Sequence, residues 1–172
     1  MSINAGQIHG FLRIDGIEGE SRDHEHPKWI EIENLVLDFE QSRSATASSQ
    51  GGNTAARVKG EPIEIMKVMD AASTALFQAC CNGTTCAKIE IQLMRADGKD
   101  GKAINYFKLE AMNVVVQRVI TSLGPDGLPR ETVRLAYAAM KQTYIPQLSG
   151  GGSSGNKVAQ YSFSQNKQSY TA

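Results

Sequence analysis

Apolar and polar residues alternate along most of the chain, and this two-residue period predicts β-strands. The clearest case is Lys88–Leu93, in which every second residue is Ile or Leu. The same pattern predicts further strands at 11–17, 29–39, 58–68, 103–110, 114–120, 131–144 and 157–164. In the second of these the alternation slips at Asn34, where a bend or a bulge is expected. About eight short strands at regular spacing favour a sandwich or a small barrel.

One segment has a helical period instead. Asp70–Cys81 is rich in alanine, and Asp70 or Ser73 can cap its start. Gly83 follows its end and suits a left-handed cap. The predicted fold class is therefore mainly β, a small two-sheet β-barrel or sandwich of about eight strands with one short α-helix. A single domain is expected to span 1–172.

Two segments have neither period. Residues 42–56 consist mostly of Ser, Ala, Thr, Gln and Gly, and they hold too little apolar surface to fold alone. Loops of this length are usually functional or disordered. Residues 149–156 are rich in Gly and Ser and are expected to form a flexible link.

Charge and composition narrow the classes of partner. Lys+Arg and Asp+Glu both number 18, so the formal net charge is zero, which argues against nucleic acid as the main partner. The chain has no run of about 20 apolar residues, so membrane insertion is not expected. Its first residues lack the basic start and apolar core of a secretory signal. We expect it to be made in the cytosol and exported, if at all, without a cleaved signal.

The three cysteines do not match a zinc site. Cys80, Cys81 and Cys86 have the spacing C-C-x4-C, which lacks the C-x2-C pair typical of structural zinc. An odd number of cysteines also argues against a disulfide framework. We expect small, buried or half-buried apolar residues, with a reactive thiol or an inter-subunit disulfide as the alternatives.

His24 and His26 form the most suggestive candidate site. On a strand these two residues would share a face and could bind a metal ion together. Their surroundings indicate a loop, however, so a solvated polar loop is the preferred interpretation. The chain also lacks a G-x-S-x-G elbow and a phosphate-binding loop. We therefore predict no catalytic residues, no metal and no cofactor.

Four stretches in order resemble one family. Gly19–Ile32 contains Gly-Glu-Ser-Arg-Asp-His-Glu-His, which is similar to the G-E-S-x-D-x-x-H stretch of the haemolysin-coregulated protein (Hcp) family. Asp70–Cys80 resembles that family's D-x-S-T-x-x-L-x-x-A-C helix, and Glu131–Gln147 resembles its late strand ending in Y-x-P-Q. The last strand and the Asn166-Lys167 tail also match. The resemblance covers nearly the whole chain.

The resemblance implies a fold and a role. It implies two β-sheets in a small barrel with a short helix at its side, and a homohexameric ring with a wide lumen. Such rings stack into the inner tube of the type VI secretion system, a contractile injector. The implied partners are other copies of the chain, a VgrG-type spike, the contractile sheath and small effector proteins sheltered in the lumen. The implied location is the bacterial cytoplasm, followed by secretion through this system without a signal peptide.

Two sets of contact residues follow as expectations. Residues of the 42–56 segment are expected at the subunit interface: Ser44, Thr46, Ser48, Ser49, Gln50, Asn53 and Thr54. Polar interruptions of apolar strands suggest that four residues face the lumen or an effector: Asn34, Val36, Asp38 and Gln117.

Two other function classes remain as alternatives. One is a monomeric effector hydrolase or metal-binding protein that uses the His24/His26 loop. The other is a monomeric β-barrel that binds a small ligand.

Overall fold

Antiparallel strands form most of the structure, a computed structural model that describes residues 9–41, 57–96, 103–146 and 155–172. The predicted interface residues of the 42–56 segment, and residues 149–154 of the predicted link, lie outside the described residues. The elements are β1 His9–Ile14, β2 Ile30–Ile32, β3 Asn34–Val36, β4 Phe39–Glu40, β5 Lys59–Gly60, β6 Ile63–Val68, α1 Ala72–Asn82, β7 Thr85–Ala96, β8 Ala103–Leu123, β9 Pro129–Ala136, β10 Ala139–Tyr144 and β11 Lys157–Ser162.

The main sheet closes on itself. Its strands follow the order β2-β1-β7-β8-β9-β6-β3, and β2 and β3 are separated only by Glu33. The backbone N–H of Glu33 donates to the carbonyl of Met66 on β6, at 2.7 Å. The first and last strands of the sheet are therefore consecutive pieces of one segment, which makes the sheet a barrel. Its core is formed by buried aliphatic side chains: Leu12, Ile14, Ile30, Ile32, Ile63, Ile65, Ile89, Ile91, Leu109, Val133 and Leu135.

The predicted strand 29–39 is wrong as a single element. The structure divides it into β2, β3 and β4, because β2 pairs with β1 whereas β3 pairs with β6. The change of partner falls at Glu33, one residue before the predicted slip at Asn34. Closure of the barrel requires this segment to leave one neighbour and join another.

The predicted strands 103–110 and 114–120 are, conversely, one strand. β8 runs through both and bends at Asn113, whose φ of 50° is left-handed. Its first half pairs with β10 and its second half with β9. The predicted strand 131–144 is therefore divided into two strands, β9 and β10, and both pair with β8.

The helix is confirmed. Leu76 and Ala79 are buried, and α1 packs against β8. Gly83 ends the helix with φ 61°, in the predicted left-handed conformation. Within the described ranges, no helix combines the length and apolarity that crossing a membrane requires.

Candidate assembly surfaces

β4 and β5 form a small separate sheet that we call the stem. Phe39 pairs with Gly60 and Glu40 pairs with Lys59. The two strands lead directly into the two ends of the 42–56 segment. The stem therefore holds both ends of the predicted assembly segment side by side.

Aromatic side chains attach the stem to the barrel. The rings of Phe39 and Phe163 are stacked with centroids 6.1 Å apart, and the edge of Tyr137 meets Phe163 at 5.3 Å. A Cβ atom on Gly60 would lie 2.4 Å from the hydroxyl oxygen of Tyr137, so a larger residue would force the Tyr137 or Phe163 side chain to shift. Arg57 adds hydrogen bonds to the carbonyls of Phe163 and Ser164. The base of the predicted assembly segment is thus held in one position.

A groove of about 410 Å³ lies between the stem and the β10–β11 pair. Phe39 and Val58 line its stem side, and Met140, Tyr161 and Phe163 line the other. Within the described part of the chain, β10 is the only named strand that pairs with β11; an isolated bridge from Ser162 to Lys167 covers the end of the outer edge, and the rest of that edge faces no other strand. An open edge presents unpaired backbone groups to another chain.

The predicted lumen residues lie on or beside one outward sheet surface, which we call the wall face. It comprises the outward residues of β3, β6, β9 and the second half of β8, in two cross-strand rows: Val36, Glu64, Arg134 and Arg118; and Asn34, Met66, Thr132 and Ile120. Gln117 is exposed and occupies a β-bulge beside Arg118. Asp38 is exposed beyond the end of β3. Three inter-strand spacings, about 14 Å, separate the Val36 and Arg118 positions.

Two arginines of the wall face form ion pairs. Arg134 Nε lies 2.7 Å from Glu64 Oε2, and Arg130 Nε lies 3.0 Å from Glu33 Oε2. Arg130 also donates to Asp126 and, with a backbone N–H, lowers the pKa of that carboxyl to about 2. Val36 is nevertheless 43% exposed, so the surface is mixed rather than strongly charged.

A second outward surface, on β1, β7, β8 and β10, carries a charge cluster that the sequence analysis missed. Glu90 and Glu110 face each other across β7 and β8. Arg13 and Lys108 both lie 3.1 Å from Glu90, and Lys88 lies 2.6 Å from Glu110. Burial raises the pKa of each carboxyl, but the surrounding groups outweigh it. Hydrogen bonds from Gln92 and Lys108 lower the pKa of Glu90, and a hydrogen bond from Lys88 lowers the pKa of Glu110. With the nearby positive charges, both pKa values fall below the usual range. Strand alternation alone could have indicated this shared face.

The Gly-Glu-Ser-Arg-Asp-His stretch closes a loop over this cluster. The N–H of Gly19 donates to the carbonyl of Lys28 at 2.8 Å, and a Cβ on Gly19 would meet the carbonyl oxygen of Trp29 at 2.4 Å. Glu20 Oε1 accepts the N–H of Ala71 at the start of α1, at 3.0 Å. The motif residues therefore hold a loop in shape and join it to the helix.

The burial of His26 contradicts the expectation of a solvated polar loop. It is only 2% exposed, and its ring stacks on Phe11 with centroids 4.2 Å apart. Its Nδ1 lies 2.8 Å from Asp23 Oδ1 and its Nε2 lies 3.0 Å from Gln92 Oε1. His24, by contrast, is exposed. Both nitrogens of His26 are engaged, and no three His, Cys, Asp or Glu residues of the described ranges are grouped to hold a metal ion.

Comparison with known proteins identifies the family. A family model described as "Type VI secretion system effector, Hcp" matches residues 11–144. The chain belongs to the Hcp family. No curated protein sequence matches it.

Solved structures agree with this Hcp assignment. Hcp1 from Salmonella typhimurium is 28% identical, with a TM-score of 0.75 over 94% of this chain and 99% of its own. A type VI secretion system effector from Yersinia pestis is 25% identical, with a TM-score of 0.71 over 89% and 98%. A "type six secretion system protein" shares the fold at a TM-score of 0.84, with 24% identity over 93% and 98%.

The cysteines of this Hcp chain are free thiols in three environments. Cys86 is buried, Cys80 is half-buried and Cys81 is exposed. The expectation of buried or half-buried residues therefore holds for the first two and is wrong for Cys81, which lies on the outer side of α1. Burial, together with the charge of Asp15, raises the pKa of Cys86.

Proposed function

We propose that this Hcp protein is a non-enzymatic subunit of the inner tube of a type VI secretion system. Copies assemble head to tail into a hexameric ring, rings stack into a tube, and the lumen carries small effectors. The observation that carries the proposal is the match to the Hcp family over residues 11–144. The chain is made in the bacterial cytoplasm and secreted through the same system, with a VgrG-type spike and the contractile sheath as further partners.

The stem supports the assembly part of the proposal. Phe39, Gly60 and Arg57 hold its two strands against the barrel, so the 42–56 segment starts from a fixed base. A fixed base reduces the entropy lost when a polar segment becomes ordered against a neighbour. Interface contacts are accordingly proposed for the residues predicted in that segment. In such a ring each copy contacts its two neighbours through two different surfaces, and rotational symmetry closes the ring.

The wall face is proposed to line the lumen near Asn34, Val36, Asp38 and Gln117. Its ion pairs, such as Arg134–Glu64, neutralise charge locally. Isolated apolar residues such as Val36 and Ile120 are separated by polar ones. Such a surface offers weak contacts to many cargo proteins and strong contacts to none.

Electron microscopy of the purified full chain, with its mass measured by light scattering, tests the proposal. We expect six-fold rings, and a protein that stays monomeric at high concentration would refute the tube role. Deletion of Ser48–Asn53 should weaken ring formation without changing the circular dichroism spectrum. A matched deletion of Ser149–Ser154 should leave rings intact. If both deletion variants form rings equally well, the 42–56 segment has no role in ring formation. That result would not contradict the proposed tube role of the protein.

A further inference from the structure

Two arginines face each other across β8 and β9 on the wall face. Arg118 and Arg134 are direct cross-strand partners, and both residues are exposed. Side chains placed opposite each other in an antiparallel pair have Cβ atoms about 5 Å apart, and two like charges in this position destabilise the sheet. A neutral or acidic residue at position 118 would therefore suit folding better than arginine does.

Only one of these two charges is balanced. Arg134 Nε lies 2.7 Å from Glu64 Oε2 on β6, on the side away from Arg118. Among the residues that the structure describes, the Arg118 side chain has neither an ion pair nor a hydrogen bond. The other acids of this surface do not supply one, because Glu33 forms a separate ion pair and Asp38 lies beyond β3, at least about 14 Å across the sheet from β8. One positive charge is left unbalanced.

A β-bulge places a third polar group beside this charge. The pairing of β8 with β9 shifts between Val116 and Arg118, and the extra residue is Gln117. Gln117 and Arg118 are both exposed, whereas Val116 is buried. Bulges of this kind re-aim side chains and are common next to active sites. The wall face thus gathers two guanidinium groups and one amide, all of which can donate hydrogen bonds.

We propose that Arg118, Arg134 and Gln117 form a carboxylate-binding site that selects cargo proteins with acidic surfaces. This inference rests on the proposed function, because it takes the wall face to line the lumen. A guanidinium group presents a planar fork of N–H donors that matches the two oxygens of a carboxylate. The zero formal net charge of the chain favours protein carboxylates over the phosphates of nucleic acid as the ligand.

The ring multiplies a weak contact. Each copy adds one unbalanced positive charge at the same height of the lumen, and a channel lined by one sign of charge concentrates ions of the opposite sign. An acidic cargo protein can touch several copies at once, which raises its apparent affinity without any new kind of contact. Each single contact is exposed and stays weak, so the site prefers a class of surface and not one protein.

Binding of a fluorescein-labelled hexaglutamate peptide to the full chain tests the site. Fluorescence anisotropy at low ionic strength compares the natural protein with Arg118→Gln, which should bind about fivefold more weakly because one exposed charge contact is lost. Arg22→Gln, at an exposed position of the Gly19–Trp29 loop, changes the net charge equally and should bind as the natural protein does. Equal affinities of the two variants would overturn the proposal.

A labelled single-stranded oligonucleotide of similar charge tests the class of ligand. We expect it to bind no more tightly than the peptide. Tighter binding that is lost in Arg118→Gln would identify a phosphate site and would overturn the assignment to acidic proteins.

Stability separates a binding role of Arg118 from a structural one. Removing its charge relieves the repulsion of Arg134, so the urea-unfolding midpoint of Arg118→Gln should equal or exceed that of the natural protein. Arg118→Glu should raise the midpoint further by pairing with Arg134, and it should abolish peptide binding. A clear fall in the midpoint of both variants would show that Arg118 supports the fold, which contradicts the proposal.

Electron microscopy of the same samples keeps this inference apart from the proposed function. Arg118→Gln should form rings as the natural protein does, because the substitution lies on the surface assigned to the lumen. Rings that bind the peptide independently of Arg118 would refute the carboxylate site and leave the tube role standing. A natural protein that forms no rings would refute the tube role and, with it, the selection of cargo in a lumen.

Discussion

Lys67 Nζ lies 3.0 Å from Glu131 Oε2, and both residues are buried on the inner side of the barrel sheet. They are direct cross-strand partners on β6 and β9. Lys67, which is 0% exposed, also contacts Asp70 Oδ1 at 2.8 Å and Ser73 Oγ at 3.1 Å. This network joins the first turn of α1 to the barrel.

Removing the lysine should be strongly destabilising. Lys67→Met leaves Glu131 and Asp70 without their cation, and breaking a buried pair typically removes about 3–5 kcal/mol of unfolding free energy. Urea unfolding measures the loss. The control is Lys59→Met, at an exposed position of the stem. The double variant Lys67→Met/Glu131→Leu should recover part of the lost stability. If Lys67→Met alone costs less than about 1 kcal/mol, the range of an exposed ion pair, the network is not a stabilising buried pair.

Gly19→Ala should destabilise the loop that carries His26. Its Cβ would lie 2.4 Å from the carbonyl oxygen of Trp29 and 2.7 Å from Ile30 Cα. Backbone atoms cannot rotate away, so we expect a loss of about 1–3 kcal/mol in thermal or urea unfolding. His24→Ala, in the same loop but exposed, should change stability little. Equal stabilities of the two variants would mean that the loop adjusts to the added methyl group.

Gly60→Val should separate assembly from folding. The new side chain would collide with Tyr137 and Phe163 and displace the stem. If the stem positions the 42–56 segment, ring formation in analytical ultracentrifugation should fall, while the circular dichroism spectrum stays that of the natural protein. Lys59→Ala, one residue away and exposed, is the matched control. Rings as abundant as those of the control would argue against a positioning role for the stem.

Acid should destabilise the protein through Glu90 and Glu110. Their folded pKa values are lowered, so their contribution is present above about pH 4.3, the ordinary value for Glu, and is lost as the pH falls through the folded values. Glu110→Gln should be less stable at neutral pH and should show a shallower decline in urea-unfolding free energy on acidification. Glu31→Gln, at an exposed site, is the comparison. An unchanged decline in Glu110→Gln would exclude this carboxyl as a source of the acid sensitivity.

Local patterns predicted the elements whose burial repeats regularly. The alternation at Lys88–Leu93 lies within β7, and the helix prediction Asp70–Cys81 differs from α1 by two residues at its start and one at its end. The predicted lumen residues Asn34, Val36 and Gln117 are all exposed. The family resemblance was also visible in the sequence, because its motifs are contiguous.

Pairing decided what the patterns could not. Alternation records which side chains face an apolar environment, but it does not record which strand lies beside which. The separation of β2 from β3, the continuity of β8 through Asn113 and the closure of the barrel depend on such partners. His26 shows the same limit, since its burial depends on Phe11 and Gln92, which are distant in sequence.

The sequence by itself determined a mainly β fold with one helix, a segment at 42–56 with little apolar surface and membership of a recognisable family. Only the tertiary structure decided that Lys67 and Glu131 form a buried pair, that the stem is anchored on Phe163, and that His26 joins a loop to β7. The physical reason is that short-range periodicity reports burial one residue at a time. Ion pairs, ring stacking and hydrogen bonds between distant residues exist only once the chain has closed the barrel.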